Sequence, residues 1–267
     1  MSDARIILLG TGSSGGVPRV GGDWGACDPA EPKNRRRRCC ALVQRFGAGD
    51  ALTNILIDTS PDLREQLLEA EVMHLDAVIY THDHADQSHG IDDVRALAIR
   101  QRRAIPVYFD PYARNSLMTR FEYCFIGGKG YPAILSPHTT VNEGQAFSVT
   151  GAGGTVEFLP VSMIHGPIPC TGYRIGNVAY CNDVNELPAT ALRQLGGLDV
   201  LIIDALRHTP HPSHAHLELA LEWIKELRPK RAVLTNLHVD MDYQTLRRTL
   251  PANVEPGFDG MTISIES

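Results

Sequence analysis

No apolar run in this 267-residue chain approaches the length that spans a bilayer, which excludes a helical membrane protein as an expectation. The opening residues Met1-Ser2-Asp3-Ala4-Arg5 lack the charged-then-apolar order of a secretory signal. Cysteine is sparse. Two of the six, Cys39 and Cys40, are adjacent, so in a strand they point to opposite faces, and the spacings do not form a secreted disulfide framework. A cytoplasmic protein with reduced thiols and no membrane partner is therefore expected. There is no excess of positive charge either. The net charge of −6 argues against a general nucleic-acid binder. It does not exclude anionic substrates, because bound metal would invert the local field. Short-period repeats and low-complexity linkers are absent, and the chain reads as one domain over 1–267.

What remains is ordinary globular composition, 43% hydrophobic and 21% charged, in a chain long enough to bury a full core. Within it, five short apolar runs each stop on or near a metal-binding residue type. Asp76-Ala77-Val78-Ile79-Tyr80-Thr81 ends on His82, and Val156-Glu157-Phe158-Leu159-Pro160-Val161 is soon followed by His165. Val178-Ala179-Tyr180-Cys181-Asn182 ends on Asp183, Val200-Leu201-Ile202-Ile203 on Asp204, and Ala232-Val233-Leu234-Thr235 leads to Asn236 and His238. Such runs read as buried strands, and strands sharing a sheet deliver their end residues to one edge. The second half alternates strand and helix. Strand-rich stretches with helices outside predict an α/β protein of two face-packed sheets flanked by helices, an αββα four-layer sandwich.

The densest cluster is His82-Asp83-His84-Ala85-Asp86-Gln87-Ser88-His89. In extended backbone, positions i and i+2 face the same way, so His82 and His84 can clamp one ion. Asp86 lies on that side and can serve a neighbouring ion or orient a bound water. Neutral imidazole with carboxylate suits zinc, iron or manganese. A lone HxH is more often a solvated loop; its placement directly after a buried strand is what favours ligation. Two other features are weaker signals. The loop Gly10-Thr11-Gly12-Ser13-Ser14-Gly15-Gly16-Val17-Pro18 lacks a GK[ST] or a GxGxxG, so it reads as a turn or a wall of the site. Arg35-Arg36-Arg37-Arg38 reads first as a solvated face.

Taken together, these residues resemble the metallo-β-lactamase fold superfamily, whose signature is HxHxDH after a strand. The more specific likeness is to phosphoribosyl cyclic-phosphate phosphodiesterases of the carbon–phosphorus lyase pathway. It runs from the Gly10–Pro18 loop through His82–Asp86, His165, Asp183 and Ser213-His214-Ala215-His216-Leu217 to Gly257-Phe258-Asp259-Gly260-Met261. The resemblance implies that His82, His84 and His165 hold a first metal. Asp86 and a final histidine would hold a second, and Asp183 would bridge the two. It also implies that His214, expected at a helix start, gives a proton to the leaving oxygen, with Asp86 sharing in catalysis. Asp204 is expected behind the ligands.

Three departures qualify this pattern. Gln87 stands where the family has histidine and offers at best a weaker carbonyl ligand. Asn236 stands in the usual place of the last histidine, so His238, two residues on, is the expected replacement. Some relatives have a structural zinc site of three cysteines, but here its positions are Gly22, Trp24 and Cys27. The resemblance therefore implies two divalent ions, zinc or manganese, with the second held more weakly. The expected partners are a small phosphorylated substrate and, among assemblies, a homodimer, without stable nucleic acid. The competing expectations are a tRNA 3′-processing-type nuclease, a lactone or thioester hydrolase, and a cofactor-biosynthesis redox or binding protein of the same fold.

Overall fold

Along the first strand, Ile6 and Leu8 enter one hydrophobic core while Ile7 and Leu9 enter another. The same two-residue alternation sends Val200 and Ile202 to the first of these cores and Leu201 and Ile203 to a third. Strands buried on both faces must be apolar at every position, which is why they read as continuous hydrophobic runs. Three cores in a row require two sheets with a helical layer outside each.

The computed structural model describes residues 3–128, 130–138 and 141–266. Strands β1 (Ala4–Gly10), β2 (Cys40–Phe46), β3 (Leu52–Ile57), β4 (Ala77–Ile79), β5 (Ile105–Tyr108) and β6 (Leu135–Pro137) lie in the first sheet. Strands β7 (Phe147–Gly151), β8 (Gly154–His165), β9 (Ile168–Ile175), β10 (Val178–Cys181), β11 (Val200–Asp204), β12 (Arg231–Thr235) and β13 (Val254–Pro256) lie in the second. Strand β14 (Met261–Ile265) returns to the first sheet beside β1.

The spatial orders are β14-β1-β2-β3-β4-β5-β6 and β13-β12-β11-β10-β9-β8-β7. In each sheet an antiparallel meander gives way to parallel strands, from β3 to β6 and from β10 to β13. Ile57, Ile79, Phe158, Tyr180 and Val233 meet between the sheets. Helix Leu217–Leu227 covers the outer face of the second sheet with Ala220, Trp223 and Ile224. Helices Leu63–Glu69 and Arg95–Gln101 help to cover the first. This is the expected αββα sandwich, and the parallel halves carry the strand ends that matter for function. No helix among the described residues is long and apolar enough to cross a membrane.

Two boundaries differ from the expectation for local reasons. The helix expected from His214 begins at Leu217, with His216 as its N-cap. The Ala215 amide donates to the Val184 carbonyl and the Ala215 carbonyl accepts from Leu206, so strand ends claim that backbone before a helix can. The helix expected over 61–70 begins at Leu63, because the Ser60 hydroxyl turns to Gln66 Oε1 at 2.7 Å. The short strands β6 and β13 fall in segments whose patterning is too brief to signal them.

The arginine run is largely not a solvated face. Arg36 is buried, donating to the Met241 carbonyl at 2.8 Å and to Cys27 Sγ at 3.7 Å. Arg37 pairs with Glu69 at 2.6 Å and Asp259 at 3.2 Å, and Arg38 pairs with Asp62 at 3.0 Å. This segment lies so close to the glycine-rich loop that a Cβ on Gly10 would sit 1.9 Å from the Arg38 carbonyl oxygen. Asp259 closes the arrangement, accepting from the Thr11 amide at 2.9 Å, the Thr11 hydroxyl at 2.8 Å and the Arg37 amide at 2.8 Å. Asp259→Ala strips several charge-assisted hydrogen bonds at once, so urea denaturation should show a loss of about 2–3 kcal/mol. An unchanged midpoint would remove Asp259 as the anchor of the loop.

Candidate active site at the strand ends

Histidines reach one point from both sheets. His82 follows β4, His84 is the N-cap of the short helix Ala85–Ser88, and His165 is the last residue of β8. Their rings pack edge to face with centroids 4.7, 5.1 and 4.9 Å apart. His165 Nε2 lies 3.1 Å from His84 Nδ1, and His82 Nε2 is buried with no protein hydrogen-bond partner.

The surroundings set which ring nitrogen faces inward. Thr81 Oγ1 donates to Asp58 Oδ2 at 2.8 Å, which leaves its oxygen to accept from His82 Nδ1 at 2.9 Å. His165 Nδ1 donates to the Ser213 carbonyl at 2.6 Å. With those protons on the outer nitrogens, the inward Nε2 atoms carry lone pairs. Burial and the neighbouring rings hold His82 well below the usual histidine range. Burial and the charge of His214 bring His165 down to about 4. With His82 and His165 held neutral and His84 within reach of both, the three imidazoles fit a divalent cation.

A second group lies beside the first. Asp183 follows β10, Asp204 ends β11, and His214 stands in the irregular segment before helix Leu217–Leu227. His214 Nδ1 is 2.9 Å from Asp204 Oδ2 and 3.3 Å from Asp183 Oδ1. Burial pulls the His214 pKa down, but Asp204, Asp183 and Asp86 outweigh it and raise His214 to about 9. Burial pushes the Asp183 carboxyl well up; His214 opposes that shift, and Asp86 and Asp204 add to it.

Not every expected residue joins these groups. Gln87 is buried, and its Nε2 donates to Asp183 Oδ2 at 3.0 Å while its Oε1 has no partner. Asp86 belongs to neither group and acts on Asp183 and His214 through its charge. His238 is displaced. The strand face was expected to continue to it, but Asn236 adopts φ 61°, in the left-handed region, and this turn breaks the two-residue alternation. His238 instead contacts Asp240 at 2.8 Å through Nδ1 and Arg19 through Nε2. Asn236, not His238, reaches the centre. His89 also points elsewhere, onto Phe121 and Arg120. Asp204 was expected to stand behind the ligands and is a full member of the second group.

Beside His214 opens a cavity of about 360 Å³ lined by Ser13, Ser14, Gly15, Arg19, Leu206, Arg207, His211, Asn236 and His238. The glycine-rich loop is therefore a wall of the site. Arg19, Arg207, His211 and His238 give no joint signal in the sequence, because residues so far apart in the chain share no local pattern.

The family model described as "Beta-lactamase superfamily domain" matches residues 53–236. A relative in Porphyromonas gingivalis named octanoyltransferase is 35% identical over 98% of this chain and 52% of its own length. The chain thus spans about half of that curated relative. The crystal structure of a diphosphatase from the PhnP family is 35% identical, covering 97% of this chain and 96% of that one, with a TM-score of 0.87. The metallo-β-lactamase fold protein YhfI from Bacillus subtilis shares the fold at 18% identity and a TM-score of 0.70, over 98% of this chain and 99% of its own.

Two measurements test this geometry. His82→Ala or His165→Ala should remove the divalent metal that the wild type retains through dialysis, read by elemental analysis; undiminished metal would discard the triad as a seat. The histidine shifts also set a pH dependence. His165 binds its proton more weakly folded, near 4, than unfolded, near 6.5, so the unfolded chain takes up protons first as pH falls. The contribution of His165, read as the difference between chelator-treated wild type and chelator-treated His165→Gln, should therefore be full above about pH 6.5 and fall progressively toward pH 4, while the raised Asp183 acts in the opposite sense in both proteins. A difference that stays flat over that window would contradict the depressed value.

Proposed function

The chain belongs to the β-lactamase superfamily, and from that premise we propose that it is a metal-dependent hydrolase that opens a small phosphodiester, a cyclic phosphate or nucleotide-like diester, to a monoester. The observation that carries this reading is the cavity beside His214. In a chain of net charge −6, it gathers Arg19, Arg207, His211 and His238 around one small space. Such a lining favours an anion, and guanidinium with imidazole suits phosphate oxygens. The 35% identity to a diphosphatase agrees with phosphate-ester chemistry. The six cysteines, all unpaired and buried, suit a reducing cytoplasm.

His82, His84 and His165 would hold zinc or manganese, with Asp183 alongside. When bound there, a divalent ion would supply neutralisation of phosphoryl charge and a more acidic water. The chain's own residues do the rest. Arg19 and His238 hold the anion. Asp204 orients His214 through Nδ1, leaving Nε2 for the substrate. Asp86 adds to the negative field that keeps His214 protonated at neutral pH. As water adds to phosphorus and gives up a proton to solvent, the bond to the leaving alcohol breaks and His214 supplies a proton to that oxygen.

A second reading, hydrolysis of a lactone or thioester, has in its favour the relative named octanoyltransferase. The cavity weighs against it, since an acyl chain brings no charge for the guanidinium groups of Arg19 and Arg207 to meet.

The deciding assay sets 2′,3′-cyclic nucleotides and bis(p-nitrophenyl) phosphate against a lactone and an octanoyl thioester, in zinc and in manganese. Phosphodiester turnover is expected; acyl hydrolysis without it would overturn the proposal. His214→Ala should slow ordinary diesters by roughly 10²–10⁴-fold, but p-nitrophenyl esters much less, since that leaving group needs no proton. Equal losses on both would place His214 in binding. Arg19→Ala should raise KM about tenfold or more with little change in kcat, by loss of one charge-assisted contact.

A further inference from the structure

The second group of acidic residues and His214 departs from a metal seat in one respect. Asn236 Nδ2 lies 2.6 Å from Asp183 Oδ1, 3.1 Å from Asp204 Oδ1 and 3.1 Å from His214 Nδ1. One amide nitrogen of the chain thus touches all three members of the group. We infer that this amide takes the place of a second cation, so that the protein binds one divalent ion per chain, in the His82–His84–His165 triad.

The Asp183 Oδ1–His214 Nδ1 distance of 3.3 Å would suit two ligands of one ion, so it is the hydrogen bonds around Asp183 that favour an amide. Carboxylate and imidazole ligands stand about 2.0–2.2 Å from a bound zinc, so two ligands of one ion are about 3.0–3.5 Å apart. The triad meets that spacing, with His165 Nε2 3.1 Å from His84 Nδ1. Around Asp183 the contacts are those of hydrogen bonds. Its Oδ1 accepts from Asn236 at 2.6 Å and its Oδ2 from Gln87 at 3.0 Å. Both carboxylate oxygens are engaged by amides of the two residues that stand where the family pattern has histidine.

The orientation of the Asn236 amide follows from the same contacts. Its NH₂ has two hydrogens and two carboxylate acceptors, Asp183 and Asp204. Reversal would set its oxygen against both carboxylate groups and leave only the His214 Nδ1 proton, already donated to Asp204 Oδ2, to meet it. The amide nitrogen has no lone pair to offer a metal, so in the observed orientation Asn236 fills the place without ligating. Its left-handed backbone at φ 61° aims the side chain inward, and β12 fixes where that turn occurs.

The remaining members are committed to one another. His214 Nδ1 bonds Asp204 Oδ2 at 2.9 Å, and the same Asp204 oxygen accepts the Val184 amide at 3.1 Å. The group is thus a hydrogen-bonded unit that orients a proton donor beside a single-ion centre.

The test is metal stoichiometry, which does not depend on turnover. Chelator-treated protein is titrated with Mn²⁺ and with Zn²⁺ by calorimetry, and its metal content is measured after desalting. The wild type should take one equivalent per chain, lost in His82→Ala. Its Mn²⁺ form should give the electron paramagnetic resonance spectrum of an isolated ion. Asn236→Asp and Asn236→His should each gain a second equivalent. Two equivalents in the wild type, or the spectrum of an exchange-coupled manganese pair, would overturn the inference even if the variants failed to fold. So would folded Asn236 variants that still bind one, since the amide would not then be what closes the place. Absence of phosphodiester turnover with one equivalent bound would refute the proposed substrate class and leave this inference standing.

Discussion

The buried carboxylate of Asp183 is the constraint around which the functional edge is arranged. It is 1% exposed, and a carboxylate removed from water must be met by donors or charge. Those come from several parts of the fold: Gln87 from the short helix Ala85–Ser88, Asn236 from the end of β12, and His214 from the segment before helix Leu217–Leu227. His82 Nε2 faces it at 3.5 Å. Both sheets must therefore pack in one relative position for Asp183 to be satisfied, and the core of Ile57, Ile79, Tyr180 and Val233 sets that position. Packing and chemistry are linked through a single side chain.

Backbone strain follows the same edge. Asp58, Asp183 and Asn236 each take positive φ at 64°, 54° and 61°, just beyond the ends of β3, β10 and β12. Asp and Asn bear this conformation more readily than other non-glycine residues, at a cost of about 1–2 kcal/mol each. In return the chain turns sharply as it leaves a sheet and aims a short polar side chain across the edge. Asp58 uses the turn to hold Thr81, which holds His82; Asp183 and Asn236 use it to meet each other. The turn at Asn236 also carries His238 away from the centre to Arg19, on the rim of the cavity.

The arginine segment shows how charge in this protein is divided between structure and recognition. Arg36, Arg37 and Arg38 are spent on Met241, Asp259, Glu69 and Asp62, bracing the loop whose Ser13, Ser14 and Gly15 wall the cavity. The basic side chains that face the cavity are isolated along the chain, at Arg19, Arg207, His211 and His238. A run of four like charges was the more conspicuous feature and mainly serves as scaffolding.

By itself the sequence determined the layers, the strands and the triad. Unbroken apolar runs are what double-sided burial demands, and a histidine pair two residues apart after such a run faces one way whatever surrounds it. His165 and Asp183 were legible for the same reason, since they close runs whose period is local. The tertiary structure alone decided between Asn236 and His238, brought Asp204 into the group with His214, and assembled the cavity with its basic lining. Each of those outcomes depends on where a chain turns after leaving its sheet, or on residues some two hundred positions apart. Left-handed turns and long-range contacts leave no periodic trace in the order of amino acids, because backbone angle and sheet packing, not local pattern, fix them.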